Sequence, residues 1–414
     1  MSPALLSLLA LMAAIVLSCF APVHVGLLSV AFAFFIGVFV ADFNVSAIAA
    51  GFPSSLFLTL TGVLFLFALA AVNGTLDQVA RRSVRLARGR RALIPLIFFL
   101  LALALAAVGP GGIAAAALLA PVAMPVAAEA GISAFLMTLM VANGANAGTF
   151  SPVSPTGIIA NNLMTRIGLE GAGWSNFWNT LLAQSLVAFA AYLLFGGWRM
   201  LGEPSVPVTA HAHVEPLDSR QKLTLLGVVG LITAVVIFRV DVGMAAFLTA
   251  AVLSFLRVSD EEAAIRAMPW TVILLVCGVT LLVALMEKTG GLDLFTGLLA
   301  RLSTPRYAPG MMALVTGIIS VYSSSSGVVL PAFLPTIPGL IARLGGGDPL
   351  MIAFSVNVGA HLVDVSPLST IGALCISAAP ESEDRPRLFR RLLIWGWSMA
   401  AVGAAVCQVL FGYR

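Results

Sequence analysis

Serine and threonine hydroxyls are crowded into two short tracts that also carry proline, "SPVSPTG" at 151–157 and "SPLSTIG" at 366–372. Proline removes an amide donor and blocks the carbonyl four residues before it. A helix broken at Pro152, Pro155 or Pro367 therefore frees carbonyl oxygens for a cation. The helix that restarts beyond the break offers exposed N–H groups to an anion. The hydroxyls of Ser151, Ser154, Thr156, Ser366, Ser369 and Thr370 suit either partner. Asn146 and Thr149 stand about a turn before the first tract, and His361 and Asp364 hold the same places before the second. Asp364 is the sharpest of these, because a carboxylate at the centre of a membrane helix costs roughly 2.5–3.5 kcal/mol to insert. It can ligate a cation, carry a proton, or pair with His361 three residues earlier on the same helical face.

Composition supplies the medium in which such breaks matter. The chain has 414 residues, is 60% hydrophobic and 10% charged, and has a mean hydropathy of +1.05. These values exclude an ordinary soluble domain and predict an all-α polytopic membrane protein. A crossing needs about 20 apolar residues. Candidates fall at 4–21, 24–41, 54–72, 134–165, 178–200, 222–239, 241–257, 270–287, 350–378 and 389–412, with 134–165 and 350–378 interrupted by the two tracts. Two apolar stretches, 92–130 and 308–345, are too long for one crossing and break at "GPGG" (109–112) and "SSSSG" (323–327), so they read as re-entrant hairpins. At their tips Gly111 and Gly112 permit close backbone approach. Ser324, Ser325 and Ser326, followed by Gly327, suit a helix N-cap. Non-helical backbone survives at membrane depth only where protein or a water-filled cavity satisfies it.

The chain is also duplicated. Shifted by 215 residues, "GANAGTFSPVSPTG" (144–157) falls on "GAHLVDVSPLSTIG" (359–372), matching Gly144/Gly359, Ser151/Ser366, Pro152/Pro367, Ser154/Ser369 and Gly157/Gly372, and Gly112 falls on Gly327. One residue of slippage aligns 52–77 with 268–293. The N-terminal repeat is 1–200, a linker spans 201–221, and the C-terminal repeat is 222–414. Each half holds three spans, an amphipathic segment, a hairpin, a broken span and a last span. Five crossings per half predict an inverted repeat, as in secondary transporters whose site lies between the repeats.

Six arginines in 77–91 suggest a helix lying at the headgroups, and a cytoplasmic position for it puts 15 of the 22 Lys and Arg inside. A nucleic-acid role for that run is rejected in so apolar a chain. The linker's His211 and His213 lack the three or four ligands that zinc needs. Cys19, Cys277, Cys375 and Cys407 have no framework spacing and read as packing residues. The first segment lacks a basic leader and reads as a mature span. No cofactor is expected.

Carried by "NGANAGTFSPVSPTGII" (143–159), "SSSSGVVLPAFLP" (323–335) and "NVGAHLVDVSPLSTIGALC" (357–375), the chain resembles the ion transporter superfamily. Within it the likeness is to the divalent anion/sodium symporters, in particular the MatC-like malonate and dicarboxylate carriers. The resemblance implies a homodimer in the inner (plasma) membrane and elevator motion of a transport domain at about 92–200 and 308–414. It also implies sodium between each hairpin tip and the adjacent break, here with Ser324, Ser325, Asp364 and Ser366 as candidate ligands. Members of the symporter type carry Ser-Asn-Thr tips; this chain has Gly109-Pro110-Gly111-Gly112 and Ser323 to Ser326 instead. The expected function is secondary active transport of a small di- or monocarboxylate, of the malonate or four-carbon class, driven by sodium or protons. An inorganic-ion exchanger, such as a sodium/proton antiporter or oxyanion exporter, is the alternative. A channel would only dissipate gradients. An intramembrane aspartyl protease would need a second carboxylate beside Asp364, and Asp42, Asp241 and Glu287 fall near span ends.

Overall fold

The computed structural model describes residues 2–20, 23–84, 90–202, 216–238 and 240–412. His211, His213 and most of the 201–221 linker lie outside the described residues, as do 85–89 of the basic segment.

The described residues are all-helical, with no strand among them. The first half runs α1 (Pro3–Phe20), α2 (Val25–Phe39), α3 (Val45–Ala49), α4 (Ser54–Val72), α5 (Thr75–Val84), α6 (Leu93–Val108), α7 (Gly111–Glu129), α8 (Ala134–Gly148), α9 (Pro155–Arg166) and α10 (Gly173–Leu194). The second half runs α11 (Ser219–Val236), α12 (Val242–Phe255), α13 (Glu261–Ala267), α14 (Trp270–Thr289), α15 (Gly291–Ala300), α16 (Ala308–Ser320), α17 (Leu330–Phe333), α18 (Ile337–Leu344), α19 (Pro349–Leu362), α20 (Thr370–Ser377) and α21 (Arg385–Phe411). The element order of the first half thus recurs in the second. Besides 3-10 turns at Gly197–Gly202 and Pro305–Tyr307, the difference is that the single helix α7 corresponds to a segmented arm at 325–344.

That difference has a local cause. Pro121 and Pro125 sit inside a continuous α7. In the second half, Pro331, Pro335 and Pro338 follow one another closely, and the arm becomes a π-turn at Ser325–Val329, α17, a 3-10 turn at Leu334–Thr336 and then α18. Each proline removes a ladder bond, and short changes of helical pitch absorb the loss. Another boundary differs from the sequence reading. The span expected at 178–200 begins earlier, at Gly173, and ends at Leu194.

Six helical stretches among the described residues are long and apolar enough to cross a membrane: Ser54–Val72, Gly111–Glu129, Gly173–Leu194, Trp270–Thr289, Ser325–Leu344 and Arg385–Phe411. The outer surface is apolar in keeping with this, with Phe39, Leu194 and Phe255 more than 70% exposed. In water such a surface would aggregate, whereas in lipid it is solvated. The protein is a polytopic membrane protein.

The halves pack by exchanging partners. Helix α2 packs on α14 and its counterpart α12 packs on α4, both through glycine. A Cβ on Gly26 would lie 2.3 Å from Leu274 O, and one on Gly278 would lie 2.0 Å from Gly26 O. At the matching crossing, a Cβ on Gly243 would lie 2.8 Å from Thr59 Cα and one on Gly62 would lie 3.0 Å from Gly243 O. Small residues let backbones approach where lipid supplies no hydrophobic drive for helix association. Cys277, Cys375 and Cys407 are free and buried, filling space as the sequence suggested.

Candidate functional site

Two helix–turn–helix segments, α6–α7 and α16 with the arm at 325–344, pack beside two interrupted helices. Arm α6 packs along α8, and α16 along α19. Gly144 and Gly359, 215 residues apart, make both approaches possible: a Cβ would lie 2.3 Å from Phe99 O on the first and 2.5 Å from Ala313 O on the second. The starts of α8 and α19 are capped in the same register. Ser133 Oγ accepts from Leu136 N–H at 3.1 Å, and Asp348 Oδ1 from Met351 N–H at 3.3 Å.

The interruptions themselves share one backbone path. Thr149 N–H donates to Asn146 O and Asp364 N–H to His361 O, both at 3.3 Å. Ser151 N–H donates to Gly148 O at 3.1 Å, and Ser366 N–H to Val363 O at 2.9 Å. Ser154 N–H donates to Ser151 O at 2.9 Å, and Ser369 N–H to Ser366 O at 3.0 Å. Every pair is 215 residues apart. The helices restart at Pro155 and Thr370, with Ser154 and Ser369 as N-caps. Gly157 and Gly372 are required beneath each turn, because a Cβ there would lie 2.0 Å from Ser151 O and 2.1 Å from Ser366 O.

Each hairpin tip is tied to the break of its own half, at the same position. In the first half Gly112 N–H donates to Thr149 Oγ1 at 3.0 Å, and both groups are buried. In the second half Thr149's counterpart is Asp364. Ser325 Oγ lies 2.6 and 2.7 Å from its two carboxylate oxygens, and 2.7 Å from Ser320 Oγ. A hydroxyl has one proton to give. When Asp364 is ionised, Ser325 donates to it, and Ser320 must donate to Ser325. Asp364 as a residue is half-buried, and no Lys or Arg among the described residues forms an ion pair with it.

The remaining expected residues divide by what they touch. Ser324 alone acts as the second tip's N-cap, accepting from Gly327 N–H at 3.0 Å, while Ser326 is half-buried. Ser369 Oγ donates within its own break, to Asp364 O at 2.5 Å or Ser366 O at 2.8 Å, and accepts from Gly372 N–H. Ser366 is fully buried, accepts from Leu368 N–H at 3.3 Å and lies against Gly396 of α21. Ser151 is buried, Thr156 half-buried and Thr370 exposed. Ser154 is fully buried with an unpartnered hydroxyl, beside Gly111 at the first tip.

Asn146 and His361 meet where the halves meet. Asn146 Nδ2 donates to His361 O at 3.3 Å, so one position bonds its own repeat counterpart. The His361 ring does not pair with Asp364 through Nδ1. That nitrogen lies 3.0 Å from Asn357 O, which can only accept, so it carries the proton; the ring's edge meets Phe150 at 4.5 Å between centroids. Sequence reasoning missed Ser320, whose signal was its place a turn before the tip. It also missed Asn143, Asn176, Thr180, Gln184 and Asn357, all fully buried.

Replacing Thr149 by valine keeps its shape and removes the acceptor for Gly112 N–H, which costs about 1–3 kcal/mol for a buried donor. Thermal unfolding in detergent is expected to fall for Thr149→Val and to stay near the parent value for Thr149→Ser. Equal unfolding temperatures for the two variants would contradict the role given to this bond.

Known proteins share both the fold and part of the sequence. Residues 1–149 match the family described as dicarboxylate carrier protein MatC, N-terminus. Among solved structures the chain is similar to the Alcanivorax borkumensis YdaH transporter, with 17% identity and a TM-score of 0.58 over 87% of this chain and 86% of that one. It is also similar to Neisseria gonorrhoeae MtrF, described as illuminating a class of antimetabolite efflux pumps, with 13% identity and a TM-score of 0.59 over 89% and 83%. At such identities these two likenesses speak for the fold alone. A search among curated proteins finds no match. The match of residues 1–149 to a carrier family points to a transporter, not an enzyme. Asp241, one of the carboxylates an intramembrane protease would have needed, is occupied as the N-cap of α12, accepting from Met244 N–H at 2.9 Å.

Proposed function

We propose that this protein is a secondary active transporter of small dicarboxylates, of the malonate or four-carbon class, coupled to sodium or protons at Asp364. The observation that carries the reading is the pair of tip-to-break bonds, Gly112 to Thr149 and Ser325 to Asp364. They put two polar seams at matching positions, and only one holds a formal charge. The substrate class is supported by the match of residues 1–149 to a dicarboxylate carrier family.

Physical chemistry supplies the mechanism. The anion is held by the restarting helices α9 and α20 and by hydroxyls of Ser151, Ser154, Thr156, Ser366, Ser369 and Thr370. Its charge is offset by helix N-termini and by a cation or proton on Asp364, with Ser324 and Ser325 available to a sodium ion. A small displacement of either tip opens its seam and leaves the other closed. The two halves are taken as an inverted repeat, supported by the exchange of α2–α14 for α12–α4 and by the Asn146–His361 contact. Elevator motion of 92–200 and 308–414, a homodimer, an inner-membrane location and a cytoplasmic 77–91 segment complete the proposal. A second reading, exchange of inorganic ions, is favoured by one feature: Asp364 stands without a cationic partner among the described residues.

Proteoliposomes loaded with malonate test the substrate class. Labelled malonate is expected to exchange in, with competition from succinate and weaker competition from acetate. Exchange of phosphate or sulfate with none of any carboxylate would overturn the class in favour of the inorganic-ion reading.

A further inference from the structure

Arginines gather at the end of the molecule where α6, α8 and α21 begin and α10 finishes. Arg91, just before α6, donates from Nη2 to Gly131 O ahead of α8 at 3.0 Å, and Tyr192 Oη near the end of α10 donates to Ala92 O at 2.9 Å. Phe135 at the start of α8 meets Phe195 and Trp395 edge to face, at 5.0 and 6.1 Å between centroids, and Phe195 meets Trp395 at 5.7 Å. The guanidinium of Arg391 rests on this cluster, 4.3 Å from the centre of the Phe135 ring. Arg387 precedes Arg391 by one turn on the same face of α21. Four residues past Phe195, Arg199 lies 5.5 Å from the ring of Trp198.

These three arginines are not spent on the protein. None of Arg199, Arg387 and Arg391 has an ion pair or a side-chain hydrogen bond among the described residues. Asp384, the acid closest to Arg387 in the chain, is occupied as the N-cap of α21, accepting from Arg387 N–H at 3.0 Å. Arg391 is the most telling of the three, because it is half-buried. A guanidinium laid on a ring face is held in place and keeps its edge free, and that edge is a planar fork of N–H donors matched to phosphate oxygens. Toward the membrane the surface turns apolar. Leu193, Leu194 and Trp198 on one side and Ile394 on the other are each more than half exposed, and tryptophan at such a boundary marks headgroup depth. A positive rim above an apolar wall complements a molecule with an anionic head and a hydrocarbon tail. A soluble anion would leave the wall unused.

We infer that this cluster binds an anionic phospholipid, its phosphate held by Arg391 and Arg199 with Arg387 adding charge, and its acyl chains lying along Leu193, Leu194 and Ile394. Basic pockets between membrane helices recognise such headgroups. The lipid belongs to the leaflet beside the basic 77–91 segment, since Arg91 ties that segment to the loop before α8. Helix α8 runs from this cluster to the first break, so the bound lipid bears on the same unit that holds the proposed transport site. The inference does not depend on the substrate class or the coupling ion.

The test is thermal unfolding of the purified full chain in detergent, titrated with phosphatidylglycerol or with phosphatidylcholine of the same acyl chains. Phosphatidylglycerol is expected to raise the unfolding temperature saturably, and phosphatidylcholine, whose headgroup has no net charge, to leave it near the starting value. Arg199→Gln combined with Arg391→Gln is expected to raise the half-saturating phosphatidylglycerol concentration at least tenfold. Arg301→Gln combined with Arg343→Gln removes the same charge at α15 and α18 and is expected to leave it near the parent value. If loss of the Phe135 contact prevents folding, Arg199→Gln combined with Arg387→Gln, both exposed positions, is expected to weaken the response in the same direction with Arg391 in place. An equal response to the two lipids, an equal rise with inorganic phosphate alone, or an unchanged half-saturation in the cluster variants would overturn the inference. The titration contains no carboxylate substrate, so its failure leaves the transport reading standing, and failed malonate transport leaves the lipid site standing.

Discussion

Replacing Asp364 by asparagine is expected to lower gradient-driven substrate uptake at least a hundredfold while the protein still folds. Asparagine keeps the size of the side chain and an oxygen for Ser325, whose hydroxyl lies 2.6 Å from Asp364 Oδ1. What it loses is the charge that binds a cation and the site that accepts a proton. A membrane helix bears the cost of a carboxylate only where function repays it, and in the Ser320–Ser325–Asp364 chain a tip hydroxyl, backed by one from the end of α16, stabilises the ionised form. Asp364→Glu moves the same charge by one methylene and is expected to retain partial uptake. Initial rates in proteoliposomes check both, with thermal unfolding as the control for folding. Uptake by Asp364→Asn within threefold of the parent would remove Asp364 from the coupling site.

The second large effect is expected from a single methyl group. Gly157→Ala would put a Cβ 2.0 Å from Ser151 O, and Gly372→Ala one 2.1 Å from Ser366 O. Both obstacles are backbone, so neither can swing aside, and the break must deform. Overpacking of this kind costs about 1–3 kcal/mol. Each substitution is expected to lower the unfolding temperature in detergent and to reduce uptake at least tenfold, with the effect of Gly157 matching that of Gly372. Gly230→Ala is the control. Nothing lies within 4 Å of a Cβ there, and alanine improves helix propensity. Wild-type stability and uptake in the Gly157 or Gly372 variants would contradict the shared backbone path of the two breaks.

The parts of this fold most legible in sequence were those where the chain breaks a helix inside an apolar run. Pro152, Pro155 and Pro367 marked the interruptions because proline's missing donor acts locally, without help from tertiary contacts. The 215-residue register was legible too, and glycines matched by it, Gly144 with Gly359 and Gly157 with Gly372, make the same close approaches. Helix boundaries mostly followed apolar length, as at Ser54–Val72 and Trp270–Thr289.

Side-chain partners were not legible, because they depend on which helices lie together. Asp364 was singled out, yet its pairing could equally have been with His361; the structure gives Ser325, a residue 39 positions away. Ser366, of the second break, was named beside Ser324, Ser325 and Asp364 as a candidate sodium ligand, but its side chain lies against Gly396 on α21. The segmented arm at 325–344 also escaped. Pro331, Pro335 and Pro338 were visible, but Pro121 and Pro125 stay inside an unbroken α7, so proline count alone does not decide. Asn176, Thr180 and Gln184 did carry a periodic signal, four residues apart in an apolar helix, which was masked by the louder serine and proline tracts nearby.

The central claim is that a cation gradient drives a small dicarboxylate across the membrane through the seams beside Thr149 and Asp364. The measurement that tests it most directly is accumulation of labelled malonate or succinate in proteoliposomes under an inward sodium gradient at fixed pH, with an inward proton gradient as the second arm. Accumulation above the external concentration under at least one gradient, abolished when an ionophore collapses that gradient, is the predicted result. Uptake that only equilibrates under both gradients, or none at all, would contradict it.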